Sequence, residues 1–246
     1  MTTIEPPLSA DERAELLELY EDLRVTDVTD GLDFFGFHDI NKLDKEIRPL
    51  HRDPEEFNHR FVGFANTIRF HPTNRRRELP ATDELDFDTT TAWRDQWYGE
   101  LSGEPEGIKE GDVVVVEAHE IDVGIIGSMN SLTWMADGAV GVVTNGGPRD
   151  TDEIIKQGLP MYAKEVNKEI IPGRTQVDDT GVPVNVGGCL IRQEDILVAD
   201  GDGVVVVPIE FAREVGEAAR KEQKDDQEAR REFYERVGLD PDFTLE

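Results

Sequence analysis

Residues 141–150 read GVVTNGGPRD, which is a short apolar run followed by a glycine turn and an oppositely charged pair. A short apolar run that ends in glycines is typical of a strand buried in a sheet. Residues 149–157 continue with a helical pattern that has acidic side chains in its first turn and stops at Gly158. The stretch therefore predicts a strand, a tight turn and a helix, with Arg149 and Asp150 at the turn.

The same alternation of strands and helices extends on both sides of this stretch. Upstream, GDVVVVEA (111–118) predicts a buried strand and GSMNSLTWMAD (127–137) predicts a helix. Downstream, further strands are predicted over 161–166, 182–186, 188–192, 196–199 and 203–208. Strands that first alternate with helices and then follow one another predict a mixed α/β domain.

Two helices are predicted near the amino terminus. Residues 8–24 carry leucines at helical spacing, and Ser9 and Glu12 have the spacing of a capping box. A second, shorter helix is predicted over 26–37, with Thr26 as its cap. These helices precede the first strand and are expected to pack on the sheet.

The whole chain, 1–246, is predicted to form a single domain with one insertion. Residues 61–70 alternate as a strand, and a long charged helix is predicted over about 209–236. Between them, the polar stretch at about 72–107 predicts an insertion or lid. Its aromatic cluster consists of Trp93, Trp97 and Tyr98.

Acidic residues outnumber basic ones two to one. The 246-residue chain holds 54 Asp and Glu against 26 Lys and Arg, a formal net charge of −28, and only 8 of the basic residues are lysine. An acidic, lysine-poor chain that is still 37% apolar resembles the proteins of salt-loving organisms, where salt screens the self-repulsion. Such a charge argues against binding to a nucleic-acid backbone without a bridging cation.

No segment predicts a membrane or secretory role. The chain has no run of 18 apolar residues, and its first residues have neither a basic n-region nor an apolar h-region. A single cysteine, Cys189, excludes an internal disulfide and a cysteine-based zinc site. A cytoplasmic protein without membrane partners is therefore expected, with Cys189 as a small buried apolar residue.

The glycine turn carries the most informative chemistry, because the chain has no P-loop, GxGxxG, HExxH or GxSxG motif. The carboxyl end of a buried strand is where α/β proteins commonly bind ligands. Free N–H groups at a helix start, together with Arg149, would bind a carboxylate bidentately. Asp150 is a hard oxygen ligand suited to hydrated Mg²⁺ or Mn²⁺. The candidate second half of the site is Gly127-Ser128-Met129-Asn130.

A purely structural interpretation of the same residues remains open from the pattern alone. Acidic side chains such as Asp150 and Glu153 favour a helix N-terminus whether or not a ligand binds. Arg149 would then form a surface ion pair. The order of motifs along the chain bears on this choice.

That order resembles the RraA-like family, which includes RraA-type regulators of RNase E activity and 4-hydroxy-4-methyl-2-oxoglutarate (HMG/CHA) aldolases. The resemblance spans about residues 20–210, and this sequence has the features of a haloarchaeal member. The matching motifs are DVTD (27–30), GDVVVV (111–116), GVVTNGGPRD (141–150), GLPMYA (158–163), PVNVGG (183–188) and ADGDGVVVVP (199–208).

The resemblance implies a fold and an assembly. The fold would be an RraA-like, phosphohistidine-domain-like αββ sandwich of the α/β class, with N-terminal helices and a long C-terminal helix. The assembly would be a homotrimer or a hexamer made of two trimers, with sites between subunits.

The resemblance also implies site roles. Gly127, Ser128, Met129 and Asn130 would bind substrate, and Arg149 would bind the carboxylate of a 2-oxo acid. Asp150 would ligate Mg²⁺ or Mn²⁺, with Glu153 as a further acid acting directly or through water. The metal would polarise the 2-oxo group and stabilise a pyruvate enolate released by retro-aldol cleavage or decarboxylation.

One departure from the aldolase pattern concerns a missing acid. The family pattern has an acid 21 residues before the arginine, where this chain has Ser128. Glu117, Glu120 and Asp122 lie just upstream as candidate substitutes.

Three functions follow from these observations. The first is a divalent-metal-dependent lyase acting on a small 2-oxo acid, and the second is a non-catalytic RraA-type regulator that binds an RNA-processing enzyme. The third is a sugar-acid catabolic lyase of the same family, in which the segment from Trp93 to Tyr98 covers a larger substrate.

Overall fold

The computed structural model describes residues 7–76, 78–119 and 121–245. Its helices are α1 (Ala10–Tyr20), α2 (Val25–Phe34), α3 (Phe87–Leu101), α4 (Ser128–Ala136), α5 (Thr151–Gln157) and α6 (Ala212–Val237). Its strands are β1 (Arg48–Pro49), β2 (Phe61–Pro72), β3 (Asp112–Glu117), β4 (Gly124–Ile126), β5 (Ala139–Thr144), β6 (Gly147–Pro148), β7 (Met161–Ala163), β8 (Thr175–Thr180), β9 (Val184–Val186), β10 (Cys189–Ile191), β11 (Ile196–Asp200) and β12 (Gly203–Val207).

The main sheet has the strand order β1-β7-β5-β3-β2-β11-β12, and β8 pairs with the distal half of β2. Strands β2, β3, β5 and β7 run parallel to one another, whereas β1, β8, β11 and β12 join in antiparallel fashion. One segment reaches both edges of the sheet, since Leu43 N–H donates to Val204 O (3.1 Å) and Leu50 N–H donates to Met161 O (2.9 Å). The sheet is therefore nearly closed, and the predicted mixed α/β fold with N-terminal helices and a long C-terminal helix is confirmed.

Strand β3 shows why this sheet has a continuous apolar sequence instead of an alternating one. All six of its residues are buried. Val113 and Val115 pack into the cluster inside the sheet, whereas Val114 and Val116 pack into a second cluster beneath α4 and α5. A parallel strand that is covered on both faces needs apolar residues at consecutive positions.

The N-terminal helices confirm one predicted cap and correct the other. Ser9 and Glu12 form the predicted capping box, with Ser9 N–H donating to the Glu12 carboxylate at 2.8 Å. The prediction that Thr26 caps the second helix is wrong, because α2 already begins at Val25. Asp27 accepts the Arg24 N–H at 2.9 Å, so the helix starts one residue earlier and Thr26 lies in its first turn.

Several elements differ from the predicted pattern. The strand predicted over 161–166 ends at Ala163, and the polar strand β8 and the short strands β4 and β6 were not predicted. Cys189 is buried in β10, and burial raises the pKa of its thiol to about 11, which agrees with its interpretation as a small apolar residue. None of the helices in the described ranges combines the length and apolar composition needed to cross a bilayer.

Candidate active site

The two glycine-led segments of the sequence lie side by side at the carboxyl ends of the parallel strands. The short strands β4 and β6 pair in parallel, with Gly124 opposite Gly147 and Ile126 opposite Pro148. Arg149 N–H extends this pairing by donating to Ile126 O at 2.8 Å. The first turn of α4 and the first turn of α5 are therefore neighbours.

Asp150 links the two halves of this arrangement. It is the N-cap residue of α5 and adopts a left-handed backbone conformation, with φ of 56°. Ser128 N–H donates to Asp150 Oδ2 at 3.3 Å, and Arg149 Nε lies 3.5 Å from Asp150 Oδ1. The side chains of Arg149 and Asp150 are 33% and 38% exposed, so both remain accessible to a ligand.

Two glycines make room for this charged pair. A Cβ at Gly127 would lie 3.0 Å from Asp150 Oδ2, and a Cβ at Gly124 would lie 2.8 Å from Arg149 Cδ. Asn130 completes the turn, because its Oδ1 accepts the Gly127 N–H at 2.9 Å. The glycines at the start of β4 and at the N-cap of α4 are thus required by the position of the charged side chains.

The charged pair lies in a pocket of about 210 Å³. Of the predicted site residues, Gly127, Met129, Asn130, Arg149 and Asp150 line it. Ser128 contributes its backbone N–H to Asp150 and does not line the pocket with its side chain. Glu153 is exposed on α5 and is not among the described residues that line the pocket, so its metal-binding role stays a prediction.

Part of the remaining wall of the pocket comes from the region predicted as an insertion. Tyr98 of α3 and residues 102–104, which follow that helix, line the pocket. Glu104 Oε1 accepts from Asn130 Nδ2 at 3.0 Å, and Glu104 Oε2 accepts from Trp134 Nε1 at 2.7 Å. Glu104 was not among the residues predicted for the site from the sequence. The signal that could have indicated it was its position in the insertion at about 72–107, which was predicted as a possible lid.

The substitutes considered for the missing family acid lie elsewhere. Glu117 is buried and accepts the Asn185 N–H at 3.0 Å, and neither Glu117 nor Asp122 lines the pocket. Glu120 lies outside the described residues. Glu104 and Asp150 are the carboxylates that the described part of the chain brings to this pocket.

Tyr98 adds a hydroxyl group to the same wall of the pocket. Burial raises the pKa of the Tyr98 phenol, and the nearby Asp150 adds to this effect whereas Arg149 opposes it. The phenol therefore keeps its proton at neutral pH. Within the described ranges its hydroxyl makes no hydrogen bond to protein, so it is free to bind a ligand oxygen.

The oxygen donors suit a largely hydrated cation better than a protein cage. No group of three or more His, Cys, Asp or Glu side chains within the described residues is arranged to hold a metal ion. Mg²⁺, however, usually keeps several waters and binds through one or two carboxylates together with substrate oxygens. Asp150, which is partly exposed and held by the Ser128 amide, fits that role.

Comparison with known proteins identifies the family of this chain. The sequence model of the RraA-like family, described as Aldolase/RraA, matches residues 25–206. A candidate 4-hydroxy-4-methyl-2-oxoglutarate aldolase from Halalkalibacterium halodurans is 29% identical over 128 residues, which are 52% of this chain and 60% of that protein. The matches with curated relatives cover between 30% and 62% of those proteins' own lengths.

Solved structures share the fold over most of the chain. RraAS2 of Streptomyces coelicolor, an unusual member of the RNase ES inhibitor RraA protein family, superimposes with a TM-score of 0.69 at 23% identity, covering 92% of this chain and 98% of that one. An uncharacterized protein from Pseudomonas syringae gives a TM-score of 0.67 at 25% identity, covering 91% and 92%.

Proposed function

Because this chain belongs to the RraA-like family, we propose that it is a divalent-metal-dependent lyase acting on a small 2-oxo acid. The proposed reaction is retro-aldol cleavage or decarboxylation, and both release pyruvate. The proposal is carried by one observation, which is that Arg149, Asp150 and the turn at Gly127 converge on a single pocket. The name of the Halalkalibacterium relative, a candidate aldolase, supports the same reaction class.

Arg149 is positioned to bind the substrate carboxylate and has unused hydrogen-bond donors for it. Its backbone is fixed by the hydrogen bond to Ile126 O, so the side chain starts from a rigid turn. Its guanidinium has five donors, and its ion pair with Asp150 within the described residues, with 3.5 Å between Nε and Oδ1, is too long to satisfy them. A planar guanidinium matches a carboxylate with two parallel hydrogen bonds.

Asp150 would hold the divalent cation beside that carboxylate. The Ser128 N–H fixes one of its oxygens, and the left-handed backbone at Asp150 directs the carboxylate across the turn towards Gly127. A divalent cation bound there supplies positive charge that polarises the 2-oxo group. The apolar side chains of Ile68, Phe70 and Ile171 exclude water from the other side of the pocket.

The test is an assay of pyruvate release in molar KCl, because a net charge of −28 requires screening. Substrates are oxaloacetate, 4-hydroxy-4-methyl-2-oxoglutarate and 4-hydroxy-2-oxopentanoate, each with Mg²⁺, with Mn²⁺ and with EDTA, and with enzyme-free blanks. We expect metal-dependent turnover of at least one substrate, reduced about 100-fold in Arg149→Ala and in Asp150→Ala. Asp152→Ala, an exposed acid on α5, is the matched control and should retain activity.

Two results of this assay would overturn the proposal. One is the absence of turnover with every substrate in the presence of either metal. The other is turnover that survives EDTA or that is unchanged in both the Arg149 and the Asp150 variants.

We also propose that the chain assembles as a homotrimer or a hexamer of two trimers. The support is an exposed apolar stripe on α4, next to the pocket, formed by Met129, Leu132 and Met135. Side chains of this kind are exposed singly on monomers but are typical of interfaces when they share one face. Light scattering in molar KCl should give three or six times the mass of one chain, and a monomer would contradict the assembly.

A further inference from the structure

A second cavity lies at the opposite end of the sheet from Arg149. Its volume is about 560 Å³, which is within the roughly 300–1,000 Å³ of sites for small organic ligands. This amino-end pocket is lined by the end of α1, by the residues at the amino ends of β2, β3 and β5, and by Ala199 near the end of β11. None of the described residues of α4 or α5 lines it, so it is separate from the face proposed to lie between subunits.

The floor of the amino-end pocket is apolar and rigid. A Cβ at Gly141 would overlap the ring of Phe61, and a Cβ at Gly111 would lie 2.8 Å from Leu17 Cδ1. Both apolar side chains therefore rest directly on the backbone of a neighbouring strand. The other apolar lining residues are Leu23, Val62, Val140 and Ala199. A preformed cavity with such walls can bury the hydrocarbon body of a ligand.

The rim of the amino-end pocket is acidic. Glu18, Glu21 and Asp22 lie at the end of α1 and in the turn after it, and Glu110 precedes β3. All four residues are exposed, and no lysine or arginine in the described part of the chain forms an ion pair with their carboxylates. Carboxylates in contact with water are ionised at neutral pH, because it is burial that favours their neutral form. The rim therefore presents four negative charges.

One cation partly offsets this charge. Arg60 is the one basic side chain among the described residues that line the amino-end pocket. Its guanidinium lies over the ring of Phe57, with 4.4 Å between Cζ and the ring centroid, and cation–π attraction holds it there. One arginine against four carboxylates leaves the pocket negative, so its electrostatics favour a cationic ligand.

The backbone that carries three of the four acids is held in place by α6. Arg220 Nη2 donates to Leu19 O at 2.8 Å, and Gln223 Nε2 donates to Asp22 O at 2.7 Å. Gln223 is buried, which makes this anchor part of the packed domain. A rim that is ordered before binding loses little conformational entropy when a ligand binds.

We propose that the amino-end pocket is a second ligand site, which binds a small organic cation with an ammonium group on an apolar body. The apolar body packs against Phe61, Val62 and Val140, and the ammonium group lies at the acidic rim. An anion would be repelled by the rim, and an uncharged ligand would leave its carboxylates without a cation. The site shares no described lining residue with the pocket of Arg149 and does not depend on the proposed lyase function.

The test uses three probes that differ chiefly in the charge of the terminal group, which are 4-phenylbutylamine, 4-phenylbutan-1-ol and 4-phenylbutanoate. Calorimetric titration in about 0.5 M KCl compares wild-type protein with the double variant Glu18→Gln/Glu110→Gln and with Val140→Phe, which fills part of the cavity. The matched control is Asp11→Asn/Glu228→Gln, which changes the net charge equally at two exposed acids that do not line the pocket. Thermal unfolding shows whether each variant is folded.

We expect wild-type protein to bind the amine about 10-fold more tightly than the alcohol, and the butanoate most weakly. Removing two of the four rim carboxylates should lower the preference for the amine to about 3-fold, whereas the control should preserve it. Raising KCl to about 2 M should also lower the preference, because salt screens exposed charges. Val140→Phe should weaken the amine and the alcohol by the same factor of about 10.

Four results would overturn the inference. They are absence of amine binding, equal binding of amine and alcohol by wild-type protein, a preference unchanged in Glu18→Gln/Glu110→Gln, and an equal loss of preference in the control. Unchanged amine affinity in folded Val140→Phe would contradict the assignment of the ligand to this pocket. If Val140→Phe does not fold, the comparison of the two charge variants still decides the outcome.

Discussion

Two clusters at opposite ends of strand β3 contain the same kinds of side chain and behave differently. At the amino end of β3, Arg13 NH2 lies 2.6 Å from Asp112 Oδ1, and their side chains are 8% and 4% exposed. At the carboxyl end, Arg149 Nε lies 3.5 Å from Asp150 Oδ1, and these side chains are 33% and 38% exposed. Each cluster also contains an asparagine and a second carboxylate, Asn66 with Glu194 in the first and Asn130 with Glu104 in the second.

The difference lies in where the polar groups find their partners. In the buried cluster, Glu194 accepts from Leu8 N–H and Lys109 Nζ, both at 3.1 Å. Asp112 Oδ2 accepts from Asn66 Nδ2 at 3.2 Å and from Lys109 N–H at 2.9 Å. These contacts join the first helix to the sheet. In the open cluster the guanidinium retains unused donors beside a pocket. Arg13 Nη1 also lacks a hydrogen-bond partner in the described residues, but it is buried where no ligand can reach it. Composition alone therefore does not separate a structural ion pair from a ligand site, whereas the exposure of the unused donors does.

Removing the arginine of the buried cluster should have the largest effect on stability. Arg13→Ala removes the ion pair of the buried Asp112 and leaves Glu194 with Lys109 as its remaining cationic neighbour in the described residues, so we expect a loss of about 3–5 kcal/mol in the free energy of unfolding. Urea denaturation at fixed salt measures it. Arg213→Ala is the control, because its pair with Glu15 is exposed and should cost about 1 kcal/mol or less. Equal losses in the two variants would contradict the structural role assigned to the buried cluster.

Asp195 provides a buried carboxylate without an ion pair in the described residues. It accepts the N–H groups of Arg192 and Ile209, and burial raises its pKa to about 6. Because the folded pKa lies above the unfolded value of about 4, the protonated form is favoured by folding. Its contribution is fully present below pH 4 and is lost as the pH rises through about 6, an effect of about 3 kcal/mol.

The substitution Asp195→Asn removes this titration. Urea denaturation between pH 4 and pH 7 should therefore show wild-type protein losing stability relative to the variant by up to about 3 kcal/mol. Parallel stability profiles for the two proteins would show that burial of Asp195 does not shift its pKa.

A smaller effect is expected at the turn that positions the open cluster. Gly127→Ala places a Cβ 3.0 Å from Asp150 Oδ2, so the carboxylate must move. Gly127 has φ of −113°, which alanine adopts without strain, so stability should change by less than about 1 kcal/mol. We expect kcat/KM for pyruvate release to fall about 10-fold, which is less than in Asp150→Ala, because the Asp150 carboxylate is shifted and not removed. Unchanged kcat/KM would show that the position of Asp150 is not critical.

The sequence predicted the two halves of the site but only part of its lining. Glycine turns after parallel strands must meet at one edge of a sheet, so Gly127 and Arg149 could be placed together. Glu104 could not be placed, because it follows α3 in a polar stretch whose packing depends on distant contacts with Asn130 and Trp134. Periodicity carries no information on such contacts.

The short elements were unpredictable for a related reason. Strands β4 and β6 have three and two residues, too few to establish an alternating pattern. The cap of α2 depended on a side chain, Asp27, that lies inside the helix and reaches back to Arg24 N–H. A capping residue predicted from the first Ser or Thr misses this arrangement.

We propose that the open cluster binds the carboxylate of a small acid through Arg149. The most direct test is the calorimetric titration of wild-type, Arg149→Ala and Arg13→Lys proteins with oxalate, a planar analogue of the pyruvate enolate, in the presence of Mg²⁺. We predict binding by wild-type protein and by folded Arg13→Lys with similar Kd, and about 100-fold weaker binding by Arg149→Ala. Oxalate binding of unchanged affinity in Arg149→Ala would contradict the account.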